Sequence, residues 1–282
     1  MASSFKKNPL VAPVVKWAGG KRQLASTLKA LLPRQMQRWC EPFAGGAALL
    51  FELQPRVAQV NDINQDLIRA YNVIKNDVEA LIRELKTYKN DPDFFYSIRD
   101  FDRDKHLYKA LSEVKKAARL IYLNKTCYNG LFRVNNAGEF NTPFGYYKTP
   151  NIVNAPVLRA VSEYFNSNEI TLSSLSYEKV LENLSRSSFV YLDPPYDPVT
   201  HTSNFTGYAR GGFSREDQIK LREECDKLDK RNIRFMLSNS DTEFIRDQYS
   251  QYRIESVSAK RMINSNVLRR GDVKEVVVMN YE

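Results

Sequence analysis

A short apolar stretch, a glycine turn and an amphipathic helix occur in that order twice near the N-terminus. "PVVKWAGGKRQLASTLKALLP" has a β-prone start, Gly19–Gly20, and a helical pattern ending near Pro33. "RWCEPFAGGAALLFELQP" repeats the grammar, with an acid before the glycines and Pro55 as the stop. Strand–turn–helix units of this kind predict an α/β sheet with helices packed on it. "VAQVNDINQDLIRAYNVIK" continues the pattern, extended at first and helical after Asp62.

Residues 64–125 read as helical instead. Val114, Ala117, Ala118 and Ile121 fall at i, i+3, i+4 and i+7, which gives one apolar face. "FRVNNAGEFNTPFGYYKTP" then reads as a hairpin turning near Asn136–Gly138. From about residue 168 the α/β grammar returns. "EITLSSL", "SSFVYLD" and "IRFMLSNSD" are predicted strands, and "REDQIKLREECDKLDKR" a helix. "YRIESVSAK" and "KEVVVMNY" are expected to pair antiparallel, because no helix separates them. The predicted organisation is a sheet domain of residues 1–63 and 168–282, split by an insert over 64–167.

The chain has 282 residues, a net charge of +9 and a pI near 9.3. Such a balance favours a polyanionic partner, and "KKAARLIYLNKTCYNGLFR" (115–133) is basic, free of acids and carries two tyrosines. A second basic group lies in "AKRMINSNVLRRGDVK". Three dispersed cysteines and two histidines argue against a structural zinc site and against a histidine-based hydrolase. With no membrane-length apolar run and no signal-peptide core, the expectation is a cytoplasmic protein that uses no metal.

Three stretches carry chemistry. In "EPFAGGA", Gly45 and Gly46 allow close approach of backbone and ligand, as does any plain strand-to-helix turn. Asp62, sixteen residues past Gly46 at the end of the next strand, is where an acid bonds ribose hydroxyls in doubly wound folds, so a nucleoside-containing cofactor is expected. "VKWAGGKRQL" places lysines and a tryptophan around the other turn, where they would meet a cofactor carboxylate and ring, or else simply face solvent. In "FVYLDPPYDP" a buried strand runs into Asp193, two prolines and Tyr196. The prolines stiffen a turn at the carboxyl end of a strand. A cis-proline turn or a strand stop would explain the prolines but not the acid and the ring together. The Asp193 carboxylate and Pro194 carbonyl together match the two N–H donors of an exocyclic amino group, and the Tyr196 ring matches a planar base.

In order, "KWAGGK", "EPFAGGA", "NDIN", "YNGLFRVNNAGEFNTPFGYY", "DPPY", "NFTGYARGGFS" and "RR…VKEVVVMNY" make the chain resemble the Dam-type DNA adenine N6-methyltransferases of the α group over nearly its whole length. The resemblance implies a Rossmann-like methyltransferase sheet with a helical target-recognition insert and β-hairpin. It also implies S-adenosylmethionine as cofactor, a flipped adenine in GATC as target, and double-stranded DNA as partner of a monomer, with a dimer left open. The catalytic set is Asp193, Pro194 and Tyr196. The cofactor set is Trp17, Ala18, Gly19, Lys21, Glu41, Phe43, Gly45, Asp62 and Asp193.

For DNA the resemblance implies Tyr128 and Asn129 entering the duplex, Arg133 and Lys16 reading guanines, and Leu131 and Pro143 lying near the thymine. Asn204 would help close over the base, and Arg269, with Arg261 and Arg270, would meet phosphates. Against these stand a hairpin core for Leu131 and Pro143 and a solvated surface for the arginines. One departure is Ser176, which stands where many relatives carry an acid facing the cofactor adenine. An N4-cytosine methyltransferase and a DNA-binding module with an inactive core are the competing readings.

Overall fold

In the computed structural model, residues 7–17, 19–21, 24–199, 212–260 and 272–282 are described. Helix α1 (Ala25–Leu31) leads to strand β1 (Arg38–Glu41), helix α2 (Ala48–Leu53) and strand β2 (Val57–Asn61). Five helices follow: α3 (Gln65–Asn76), α4 (Val78–Lys86), α5 (Pro92–Asp100), α6 (Lys105–Ala110) and α7 (Glu113–Thr126). After an irregular stretch come α8 (Ala155–Ser167), β3 (Glu169–Ser173), α9 (Tyr177–Glu182), β4 (Ser188–Leu192) and α10 (Arg215–Lys230). The chain finishes with β5 (Arg234–Ser240), α11 (Glu243–Gln248), β6 (Arg253–Lys260) and β7 (Asp272–Met279). The seven strands form one mixed sheet of order β3-β2-β1-β4-β5-β7-β6.

Two compact units divide the chain. One comprises Met1–Gly20, Gly45–Arg56 and Gln65–Leu172; the other comprises Lys21–Ala44, Val57–Asn64 and Ser173–Glu282.

In the second unit, β2, β1, β4 and β5 run parallel, and β7 and β6 close the edge antiparallel, as the sequence predicts for that pair. Strand β4 is buried at every position, so from Phe189 to Leu192 its sequence is continuously apolar or aromatic rather than alternating. Chain order reverses between β1 and β4, a topological switch point where open α/β sheets bind ligands beyond the carboxyl ends of their strands. Glu41 ends β1 and Asp193 follows β4, one on each side of that switch.

In the first unit, α7 departs from the one-faced helix the periodicity predicts. From Ala117 to Asn124 every residue is buried, including Arg119 and Asn124. Arg119 lies in an ion pair with Asp102 (2.7 Å) and donates through Nε to the Ile98 carbonyl (2.9 Å). Part of the basic run is therefore neutralised inside the protein. Nor does "PVVKW" form the expected strand: residues 11–17 have no regular element. Two amide side chains pair with the backbone of residues 8 and 16 instead. Gln54 exchanges two hydrogen bonds with the Asn8 backbone (3.0 and 2.9 Å), and Asn124 does the same for Lys16 (2.7 and 2.7 Å). The predicted hairpin turn is present, closed by Gly138 N–H donating to the Asn135 carbonyl (2.8 Å). Its arms meet through isolated bridges, Val134↔Phe140 and Cys127↔Phe144, rather than a continuous ladder.

Candidate active site and DNA-facing surface

The second unit gathers acids at the carboxyl ends of its parallel strands. Glu41 is buried and accepts from Trp39 Nε1 (3.2 Å). Burial, followed by the Asp193 and Asp62 charges, pushes its carboxyl up to about 8 despite that hydrogen bond. Asp62 follows β2. Its Oδ1 accepts from Asn64 N–H (2.9 Å) and its own N–H donates to the Ser173 carbonyl (3.3 Å). The neighbouring Asn61 is fully engaged: it donates to the Pro42 and Leu175 carbonyls and accepts from Ser173 Oγ and Leu175 N–H. That one amide ties the ends of three chain segments together and fixes where Asp62 stands.

Asp193 is one-fifth exposed and pairs with the buried Lys21, Nζ to Oδ1 2.7 Å. Burial raises its carboxyl to about 6, the Lys21 charge opposes that rise, and the Glu275 charge adds to it. Lys21 Nζ also sits 4.6 Å from the centre of the Tyr196 ring. The Tyr196 hydroxyl donates to Glu275 Oε2 on β7 (2.8 Å). Carboxylate, ammonium and aromatic ring thus converge at one strand end.

The turn is held from behind. Gln218 Nε2 donates to the Pro195 carbonyl (2.8 Å) and Asn239 Nδ2 to Gln218 Oε1 (3.1 Å). Asn239 Oδ1 accepts from Asp197 N–H (3.0 Å), and Ser240 Oγ donates to the Asp197 carbonyl (2.7 Å). The Asp197 carboxylate, fully buried, takes Arg215 Nε (3.0 Å) and Thr242 Oγ1 (2.9 Å). Among the described residues none of the peptide bonds is cis. Among the described residues the Pro194 carbonyl receives no protein hydrogen bond, whereas the Pro195 carbonyl is occupied. Sequence reading missed Asp197, Gln218, Asn239 and Glu275. A signal for one of them, Asn239, was present: "SNS" (238–240) is a polar run at the end of a buried strand, the same grammar as the aspartate after β4.

Phe43, half-buried, faces Tyr177 at 5.2 Å and Phe213 at 6.1 Å. Ser176 is the N-cap of α9, immediately before that tyrosine. The aromatic group beyond β1 therefore stands where the sequence departs from an acid.

The first unit brings together a different set. Trp17 stacks on Phe132 at 5.1 Å. Gly45, at φ 49°, lies so close to the Trp17 indole that an added Cβ would sit 2.7 Å from it. Tyr128 N–H donates to the Pro143 carbonyl (2.8 Å), so Tyr128 and Pro143 are neighbours, and both side chains are exposed. Asn129 is left-handed at φ 57° and exposed. Arg133 Nε donates to Asn141 Oδ1 (2.7 Å), and Leu131 is bound through its carbonyl to Thr142 Oγ1 (2.6 Å). Lys16 is exposed, with Nζ 5.4 Å from the Tyr147 ring centre. The six predicted DNA residues of this unit lie on one turn-and-hairpin region and the segment bonded to it. Gly19 is exposed, at φ 75°. Ala18, Asn204, Arg269, and with them Arg261 and Arg270, lie outside the described residues.

Residues 17–263 match the D12 class N6 adenine-specific DNA methyltransferase family. The chain belongs to that family. It is 40% identical over 280 residues to the type II methyltransferase M1.LlaDCHI of Lactococcus lactis subsp. cremoris, covering 98% of both chains. It is 41% identical to the type II methyltransferase M.MjaIII of Methanocaldococcus jannaschii, over 96% of this chain and 99% of that one. With the DNA adenine methylase of Escherichia coli K12 it shares 33% identity over 94% of each. As an adenine-specific methyltransferase it acts on DNA, which sets aside the cytosine and inactive-module readings. Among the described residues no group of three or more His, Cys, Asp or Glu could hold a metal ion. None of their helices is long and apolar enough to cross a membrane.

Proposed function

We propose that this enzyme transfers a methyl group from S-adenosylmethionine to N6 of an adenine flipped out of double-stranded DNA, within GATC. The observation that carries this is the convergence of the Asp193 carboxylate, Lys21 and the Tyr196 ring beyond β4, beside Glu41 across the switch point. The GATC target rests on the resemblance to Dam-type enzymes and on the DNA adenine methylases among the relatives.

The donor set suits the cofactor. Asp62, at a strand end, would accept from ribose hydroxyls. Lys21 would meet a carboxylate, and the Asp62 and Asp193 carboxylates, with Glu41 beside them, give the region the negative potential that an ammonium and a sulfonium require. Phe43 would pack against the adenine ring. Trp17, Ala18, Gly19 and Gly45 are assigned to the same cofactor by their motifs. Bound there, S-adenosylmethionine supplies an electrophilic methyl group.

The chain's own residues do the rest. The lone pair of an adenine amino group is delocalised into the ring, so it must pyramidalise and gain positive charge to react. Asp193 Oδ and the Pro194 carbonyl accept hydrogen bonds from its two N–H groups and stabilise that charge, and once the methyl group has passed from sulfur to nitrogen one of those protons leaves past the part-exposed Asp193 to solvent. Tyr196 stacks on the base and, held by Glu275, keeps the amino group in line. The Gln218–Asn239–Asp197 brace keeps the turn from yielding when the base enters. A base within a duplex cannot reach this turn, so the adenine is extruded. Tyr128 and Asn129 fill the vacated space. Lys16 and Arg133 read guanine edges in the major groove, and Leu131 and Pro143 contact the thymine methyl.

Incubation with methyl-labelled cofactor and duplexes that differ only in GATC, followed by nucleoside analysis, tests the proposal. Label in N6-methyladenine of the GATC duplex alone is expected. Equal labelling of a duplex lacking GATC would overturn the target, and label in no adenine would overturn the reaction.

A further inference from the structure

We infer that Asn124 is a positioning residue that locks the guanine-reading Lys16 to the duplex-entering turn Tyr128–Gly130, so that base reading and insertion occur as one event. The inference rests on the DNA roles just proposed for Lys16 and Tyr128.

Asn124 lies in the last turn of α7 with no exposed surface. Its amide makes three hydrogen bonds to two separate segments. Oδ1 accepts from Lys16 N–H (2.7 Å), while Nδ2 donates to the Lys16 carbonyl (2.7 Å) and to the Gly130 carbonyl (3.1 Å). Both N–H donors of the side chain are consumed. The pair of bonds to Lys16 replaces the strand neighbour that this segment lacks, and it fixes the direction in which the Lys16 side chain leaves the backbone. The third bond fixes the turn. That turn is a strained piece of chain: Asn129 has φ 57° and Gly130 φ 65°.

The two segments also touch directly. A Cβ added to Gly130 would lie 2.5 Å from Lys16 Cδ and 3.1 Å from Lys16 Cβ, so the lysine stem runs across the bare glycine. The next residue, Trp17, stacks on Phe132, two positions past the turn. A displacement of the turn on entering DNA must therefore move Lys16, and among the described residues Asn124 is the one side chain hydrogen-bonded to both. Only an asparagine fits these bonds: aspartate lacks the two donors, glutamine is a methylene too long, and alanine leaves two carbonyls and one N–H unpaired.

The test is the ratio of kcat/KM on a GATC duplex to that on a duplex with the first guanine replaced by adenine. It is measured for the wild type, Lys16→Ala, Asn124→Ala, Asn124→Asp and Gly130→Ala. A role in stability alone lowers both values equally and leaves the ratio unchanged. The expectation is that the ratio falls by about tenfold or more in Lys16→Ala and comparably in every folded Asn124 and Gly130 variant. If Lys16→Ala lowers the ratio but the folded Asn124 and Gly130 variants keep the wild-type value, the inference is overturned and the lysine's role stands. A wild-type ratio in Lys16→Ala overturns the proposed reading itself.

Discussion

Lys21 Nζ lies 2.7 Å from Asp193 Oδ1 and 4.6 Å from the centre of the Tyr196 ring. An acid partly removed from water is kept ionised by that cation. Without the lysine, burial and the Glu275 charge would act on Asp193 unopposed. Only the ionised form is a pure hydrogen-bond acceptor for an amino group. The single-turnover methylation rate at saturating cofactor is expected to rise with pH through about 6 and then level off. Lys21→Met should move that rise to higher pH, and Lys21→Arg should leave it near the wild-type position.

Glu41 makes an opposite kind of statement, about stability. Its folded-state value of about 8 stands above its ordinary 4.5, so the folded protein holds a proton that the unfolded chain releases. Stability from this group is present at low pH and declines as pH rises through that window. Urea unfolding of the wild type should show this decline. Glu41→Gln keeps an acceptor for Trp39 Nε1 and removes the ionisation, so it should be the more stable protein at pH 9, with the advantage shrinking towards pH 5.

Asp102 is the internal partner of Arg119 and also accepts from Phe140 N–H (2.8 Å). Asp102→Ala strands a buried guanidinium, at a cost of about 3–5 kcal/mol in denaturant unfolding. Arg119→Met in the same background should restore part of the loss, because it removes the unpaired charge.

Arg133→Ala should weaken discrimination at one guanine by roughly 1–3 kcal/mol, with little change in binding to unrelated DNA. An equal loss on every sequence, with a shallower salt dependence, would make Arg133 a phosphate contact instead.

Much of this architecture is legible in the sequence because its signals are local. Glycine turns after β1, the acid after β2 and the prolines after β4 each mark a strand end within a few residues. What escapes is held by side chains remote in sequence. "PVVKW" has a strand's composition, yet the side chain bonded to its backbone is the amide of Asn124, at Lys16, which no periodicity announces. The basic run over 115–133 looks like a uniform DNA surface, but Arg119 turns inward to Asp102. Glu275 reaches Tyr196 across 79 positions of chain, a contact created only when β7 pairs with β5.

The most direct test of the account is the single-turnover methylation rate of Asp193→Ala on a GATC duplex, with cofactor and DNA both saturating. Loss of the carboxylate would remove the acceptor proposed to stabilise charge on the reacting nitrogen, so the rate should fall by about a hundredfold or more while DNA binding persists. A rate within a few-fold of the wild type would contradict the role given to the turn after β4.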